Sequence, residues 1–357
     1  MNYEQRISRI VEVLDEQGLD AFITSHLVHV RYVSGFSGSN ATVLLTRHGA
    51  TLFTDGRYGQ QARSQSPHCS IVIQRDGLSA AVALAAKTKA LRIGFESQHI
   101  TFSTFRDLSK LAEDQHFQLQ PTTNLIEDFR TIKDDDEIKN LETACEITDA
   151  SWSALMSEGV LGKSEKFLAG RIEMLFRELG GEDRAFESIV ATGPHSAIPH
   201  HEPTDRIVAA GDFLKIDCGA RFAGYHADMT RTVVVGKAAA WQKEIYQVVL
   251  AAQSAAKQQA KPGVEVLHLD HLAREVVEAA GFGEQFLHLS GHGVGLEIHE
   301  RPFLGRHDGI LTSCMPITIE PGIYLEGRGG VRIEDTLLIV EDGYRNLTNL
   351  NRELLEL

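Results

Sequence analysis

Four carboxylates stand inside apolar, strand-like segments in the second half of this chain, and no other feature narrows its fold so far. Asp217 lies in FLKIDC, Asp228 just ahead of MTRTVVV, Glu320 at the end of ITIE and Glu334 within VRIED. A lone charge among apolar neighbours is expensive to bury, and it becomes tolerable when a cation neutralises it. Residues i and i+2 of a strand share a face. Asp217 therefore falls with Phe213 and Lys215, and Asp228 with Thr230 and Thr232, whose hydroxyls are expected to orient it. By the same alternation Arg332 is expected to pair with Glu334.

Two of these segments echo one another. Residues 213–232 read FLKIDCGARFAGYHADMTRT and residues 317–336 read ITIEPGIYLEGRGGVRIEDT. Each runs from an apolar strand to an acid, a glycine two residues on, a turn region, and a second strand with an acid ahead of Thr230 or Thr336. Asp217 matches Glu320, and Asp228 falls near Glu334 or Asp335. The echo predicts two hairpins that face each other and offer carboxylates from both sides. An imidazole comes from SGHGVGLEIHERP, where His292 is flanked by Gly291, Gly293 and Gly295, glycines that let a backbone approach closely. His299 follows seven residues later, and TGPHSAIPHHEP upstream holds His195, His200 and His201. Oxygen donors with one imidazole suit a pair of hard or borderline divalent ions, Mn²⁺ first, with Co²⁺ or Zn²⁺ as alternatives.

At 357 residues the chain is long enough for two domains. Short apolar segments at Ala21–Thr24, Ala41–Thr46, Ala50–Thr54, Ser70–Gln74 and Leu91–Phe95 alternate with helical stretches, which predicts a mixed α/β domain over 1–125. The polar stretch 117–136, with Pro121, reads as a linker. Helices are expected over Glu137–Met156, Glu165–Leu179, Ala238–Ala260 and Leu267–Ala280, with strands around the acids, so 126–357 reads as an α+β domain.

The formal net charge of −14 lacks the basic footprint that nucleic acid requires. No apolar run approaches the ~20 residues of a membrane-spanning helix, and the N-terminal MNYEQR enters an amphipathic helix rather than a signal segment. Four cysteines without a C-x-x-C pair suit a reducing compartment. The expectation is a cytoplasmic chain with neither nucleic-acid nor membrane partners. A serine-hydrolase elbow is missing, His201-Glu202 and His299-Glu300 lack the second histidine of H-E-x-x-H, and no G-K-[ST] follows the glycines around His292.

The order Asp217, Asp228, His292, Glu320, Glu334 resembles the metal set of the M24 metallopeptidases, whose catalytic domain has the pita-bread fold. The matching motifs are IDCGARFAGYHADMTRT, GHGVGLEIHERP, TIEPGIY and GGVRIEDT, spread over most of 130–350. YVSGFSGSNATVLLT and LFTDGRYGQQA resemble the creatinase/prolidase N-terminal domain, which favours the proline-specific branch. The resemblance implies a pita-bread catalytic domain over 126–357 behind a smaller creatinase-type domain over 1–125. It implies two divalent ions, with Asp217 chelating one, Asp228 and Glu334 bridging, and His292 and Glu320 completing the second site. A water between the ions would be the nucleophile and Glu320 an acceptor for its proton. His200 and His299 would contact the scissile carbonyl and move protons, and Arg332 would support Glu334 or reach a substrate carboxylate.

The implied activity is hydrolysis of the bond before proline in a peptide substrate by a homodimer. The N-terminal motifs lean toward an Xaa-Pro aminopeptidase, with an Xaa-Pro dipeptidase (prolidase) as the alternative. Dipeptide restriction would need a reader for the free carboxylate, such as Arg332, Arg57 or a neighbouring subunit's loop. A metal-free pita-bread peptide-binding module, the reading from another class, predicts missing ligands, whereas all five residues are present. His195 and His201 depart from the family pattern, where a polar and a small residue are usual, and a crowded histidine rim is expected to alter the pocket.

Overall fold

A computed structural model describes residues 1–88 and 90–357. They divide into two compact units, Met1–Arg130 and Thr131–Leu357.

The first unit is built on a six-stranded mixed sheet. Its strands are β1 (Ala21–Thr24), β2 (Ala41–Thr46), β3 (Gly49–Thr54), β4 (Ser70–Ile73), β5 (Arg92–Glu96) and β6 (Gln118–Thr122), in the order β4-β3-β2-β1-β5-β6. β1 runs antiparallel to β2 and parallel to β5. Ala21, Ile23, Leu44, Phe53 and Ile93 of the sheet pack against Ala81, Val82 and Ala85 of the helix Gly77–Lys87. The stretch expected to be a linker is folded: it supplies β6 and then a helix, Leu125–Thr131. Pro121 is accommodated because β6 is an edge strand, where a missing N–H costs no ladder bond.

In the second unit the acidic run opens the helix Asp135–Ser157. Asp134 accepts from the Glu137 amide (2.9 Å), and the Glu137 side chain accepts from the Asp134 amide (2.9 Å), a reciprocal cap. The echo in the sequence is realised as two hairpins. Phe213–Cys218 pairs antiparallel with Met229–Val234, and Pro316–Ile319 pairs antiparallel with Asp335–Val340. Each pair encloses a smaller antiparallel ribbon, Ala220–Phe222 with Tyr225–His226 in one and Gly322–Leu325 with Gly329–Arg332 in the other. Residues 331–340, apolar enough to read as one strand, belong to two, interrupted at Ile333 and Glu334. Helices Ala240–Gln259 and Val266–Ala279 bury Ile245, Val249, Leu269 and Ala273 against Ile317, Ile319, Val331 and Leu337. Among the described residues no helix is long and apolar enough to cross a membrane.

Candidate metal centre

The hairpins place their acids at equivalent points. Asp217 is one residue from the end of its strand and Glu320 one past the end of its own; Asp228 and Glu334 each stand immediately before the returning strand. The Glu334 amide donates to the Thr230 carbonyl (3.1 Å), which joins the two hairpins beside the acids. The strand Gly291–Gly293 brings His292 between them, paired to Ile317 through Gly293. A Cβ on Gly291 would lie 2.0 Å from the Thr318 carbonyl oxygen, and one on Gly293 would lie 2.2 Å from that of Arg301. Only glycine permits that approach. Asp270 holds the loop through the Ser290 amide (3.0 Å) and hydroxyl (2.7 Å).

All five residues line one cavity of about 550 Å³, in the range of small-molecule sites. One ligand-type atom from each of Asp228, His292 and Glu334 lies within 4.8 Å of the other two. His292 Nδ1 donates to the Gly293 carbonyl (3.0 Å), which fixes the tautomer and turns the Nε2 lone pair toward Asp228 Oδ2 (3.5 Å) and Glu320 Oε1 (3.4 Å). Burial, with His299 nearby, pushes this imidazole down to about 3, so it is a neutral donor. Burial pushes Glu320 up to about 8 and holds Asp228 and Glu334 well above the ordinary carboxylate range, with mutual repulsion adding to it. Asp217 Oδ1 and Glu334 Oε1 are buried with no hydrogen-bond partner among the described residues. Orphaned acceptors, crowded anions and a lone pair aimed among them are the donor set of a divalent cation site, and these residues fit one.

Two expected contacts fall elsewhere. Thr230 gives its hydroxyl to Glu334 Oε2 (2.8 Å), not to Asp228, because Glu334 arrives from the opposite hairpin; Thr232 bonds the Arg332 carbonyl (3.0 Å). Arg332 pairs with Asp217 Oδ2 rather than Glu334. Its other donors go to Thr230 Oγ1 (3.0 Å), Tyr324 Oη (2.8 Å) and the Pro199 carbonyl (3.2 Å). The guanidinium is committed to holding the site together.

His200 and His299 are exposed and line the cavity. Surrounding protein atoms, with His200 adding repulsion, push the His299 imidazole below its ordinary range. His201 reaches the cavity wall, but its Nε2 bonds Glu165 Oε2 (2.8 Å), and His195 Nδ1 bonds Glu165 Oε1 (3.0 Å). Thr204 completes this clamp through its amide (2.9 Å) and hydroxyl (2.6 Å). The two unusual histidines therefore brace the loop that carries His200. Lys215, fully buried, braces it from below by donating to the Ile198 carbonyl (2.6 Å). Sequence reasoning gave Lys215 and Glu165 no role. The only signal was a lysine on the Asp217 face of a strand.

The pattern of metallopeptidase family M24 matches residues 139–341, and that of the creatinase/prolidase N-terminal domain matches residues 6–132. The chain belongs to family M24. It is a hydrolase with the two-domain creatinase-type and pita-bread architecture. A curated relative, the Xaa-Pro dipeptidase of Pyrococcus horikoshii, is 38% identical over 98% of this chain and 99% of its own length. Among solved structures, an Xaa-Pro dipeptidase from Bacillus anthracis superposes with a TM-score of 0.94 at 36% identity, covering 100% of both chains. An X-Pro aminopeptidase from Thermotoga maritima gives 0.90 at 34%, covering 99% of this chain and 100% of that one.

Proposed function

We propose that this M24 metallopeptidase is an Xaa-Pro dipeptidase that uses two metal ions. The observation that carries the reading is end-to-end likeness to Pyrococcus proteins of that name, at 38% and 37% identity. The sequence alone leaned toward an aminopeptidase for longer peptides; these relatives favour the dipeptidase alternative.

In this reading Asp217, Asp228, His292, Glu320 and Glu334 hold the ions, with Mn²⁺ favoured because four of the five donors are carboxylates. Bound there, divalent ions supply Lewis acidity that lowers the pKa of water and polarises the scissile carbonyl. Glu320 lines the cavity beside the other ligands and is placed to accept a proton from water; its pKa of about 8 belongs to the metal-free chain, and bound cations would lower it. His200 and His299, both at the cavity, donate hydrogen bonds to the carbonyl oxygen as it gains charge. Arg332 keeps Asp217 in place; each of its three guanidinium nitrogens already bonds within the site, which favours another residue as the reader of a substrate carboxylate. Arg57, the other arginine expected in that role, belongs to the first unit and pairs there with Asp55 (2.9 Å).

The exposed Arg306 lies on the cavity wall with its guanidinium over the Phe303 ring (5.0 Å). We assign it the free carboxylate of the dipeptide, which a guanidinium binds in bidentate fashion. The test is a side-by-side assay of Ala-Pro and Ala-Pro-Ala. Preferential cleavage of the dipeptide, with a raised KM in Arg306→Ala, supports the assignment; faster cleavage of the tripeptide overturns it in favour of the aminopeptidase.

A further inference from the structure

The first unit gathers histidines that neither the peptidase motifs nor the cavity uses. β1 and β5 are adjacent and parallel, with Ala21 opposite Ile93 and Ile23 opposite Phe95. Thr24 and Glu96 end them. Just beyond these ends the chain places His26, which precedes the helix Leu27–Ser34, His29 in the first turn of that helix, and His99 in the turn after β5. Glu127, on the helix Leu125–Thr131, joins them. The carboxyl ends of parallel strands are where open α/β sheets bind ligands.

The side chains converge. One ring nitrogen from each of His26, His29 and His99 lies within 4.8 Å of the others. His29 is fully buried, and its Nδ1 donates to Glu96 Oε1; the second Glu96 oxygen accepts from Thr24 Oγ1 (2.7 Å). That carboxylate fixes the tautomer and leaves Nε2 as the basic nitrogen of His29. Nε2 faces Glu127 Oε1 at 4.0 Å, and His99 Nε2 stands 3.3 Å from the same oxygen. The His26 ring stacks on His99 (3.8 Å between centroids) and meets His29 edge-on (4.5 Å). A histidine whose far nitrogen is held by a buried carboxylate is the usual support for a metal-binding imidazole.

We propose that His26, His29, His99 and Glu127 form a zinc site in the first unit, with Glu96 as the outer partner that orients His29. Three imidazoles and one carboxylate suit Zn²⁺ in tetrahedral coordination, with bonds of ~2.0–2.1 Å and hence ligand atoms roughly 3.4 Å apart. His99 Nε2 and Glu127 Oε1 already stand at about that spacing, His29 Nε2 is somewhat farther from Glu127, and the stacked His26 and His99 rings must turn relative to one another to share an ion. His99, on a turn and 27% exposed, is the ring least enclosed by the fold and the one expected to turn on binding. The donor set also differs from that of the cavity, which is rich in carboxylates and carries one imidazole.

The test is zinc stoichiometry on chelator-stripped full-length protein, by calorimetric titration with Zn²⁺ and elemental analysis after dialysis. The wild type is expected to retain one more zinc per chain than His99→Ala or His26→Ala. Glu96→Gln should keep the site but weaken it by about 10- to 100-fold, as expected for an outer partner. Glu334→Gln should change binding at the cavity and leave this equivalent intact, which separates the proposal from the peptidase reading. Retained secondary structure by circular dichroism in His99→Ala guards against misfolding. Equal zinc content in wild type, His99→Ala and His26→Ala would show a hydrogen-bonded histidine cluster without metal, and the proposal would be wrong.

Discussion

Glu334 and Asp335 are neighbours in sequence and equally buried, each about 1% exposed, yet the fold treats their charges in opposite ways. Asp335 faces the core of the second unit. Arg231 Nη2 donates to one of its oxygens (2.6 Å) and Lys257 Nζ to the other, with Gln253 at 3.3 Å. Burial alone would raise its pKa, but the two cations outweigh it and hold the carboxyl below its ordinary value. Glu334 faces the cavity. Burial raises it, Glu320 and Asp217 repel it, and a hydroxyl from Thr230 is its direct hydrogen-bond donor. Where the polypeptide needs a permanent anion it provides its own cations. Where it leaves anions crowded, a cation from outside is expected to complete the structure.

The largest effect is expected on the core side. Asp335→Asn removes the anion that Lys257 and Arg231 share, and both cations are at most 3% exposed. Breaking a buried pair in this way costs about 3–5 kcal/mol, measurable as a drop in the denaturation midpoint. Glu334→Gln, one residue away, should leave the stability of chelated protein unchanged or higher, because it removes a repelling charge. Equal destabilisation by both variants would erase the contrast.

Activity should divide the other way. On the proposed reading, Glu334→Gln would forfeit a metal ligand and several kcal/mol of transition-state stabilisation, roughly a hundredfold or more in kcat/KM. Asp228→Ala belongs with it. A folded Asp335→Asn protein, assayed at low temperature, should retain far more activity than either.

The electrostatic difference also gives opposite pH dependences. Glu320 has a folded pKa of about 8 against an ordinary 4.5. Its proton favours the folded state, so that contribution is whole below about 4.5 and is lost as pH rises toward 8. Asp335 contributes stability above its ordinary 3.8 that disappears as pH falls through its lowered value. Chelated protein should therefore melt at progressively lower temperature from pH 5 to 8, and added Mn²⁺ should reverse the slope because the ion competes with the proton. At a hundredfold excess over Kd the ion adds about 2.7 kcal/mol. Identical melting curves with and without Mn²⁺, together with activity that survives chelation, would remove the metal from the account.

How much of this was legible depended on whether a residue's environment is local. Asp217, Asp228, Glu320 and Glu334 announced themselves because each sits among apolar neighbours in its own strand, and the hairpin echo placed them at matching points. Alternation gives the face of a strand but not what meets that face. Thr230 therefore looked like a partner for Asp228, while its hydroxyl finds Glu334 from 104 residues further along. Arg332 looked like a partner for Glu334 and instead reaches back 115 residues to Asp217. The histidines at 26, 29 and 99 were silent for the same reason, since only the parallel pairing of β1 with β5 brings them together. Pro121 misled in the other direction: it reads as a break, and an edge strand tolerates it.

The smallest effect is expected at Cys218, which is adjacent to Asp217 but on the opposite face of the strand. Its side chain is fully buried with Leu214, Ile216 and Met229, and burial holds the thiol well above its ordinary range. A thiol that stays protonated is a poor metal ligand. Cys218→Ala should lose about 1 kcal/mol of stability through the small void it leaves. Bound metal and kcat/KM should be unchanged. Loss of metal from a folded Cys218→Ala protein would mean that the strand does not separate an ion-facing side from a core side at this point. The contrast between Glu334 and Asp335 would then be a property of those two residues rather than of the hairpins that carry them.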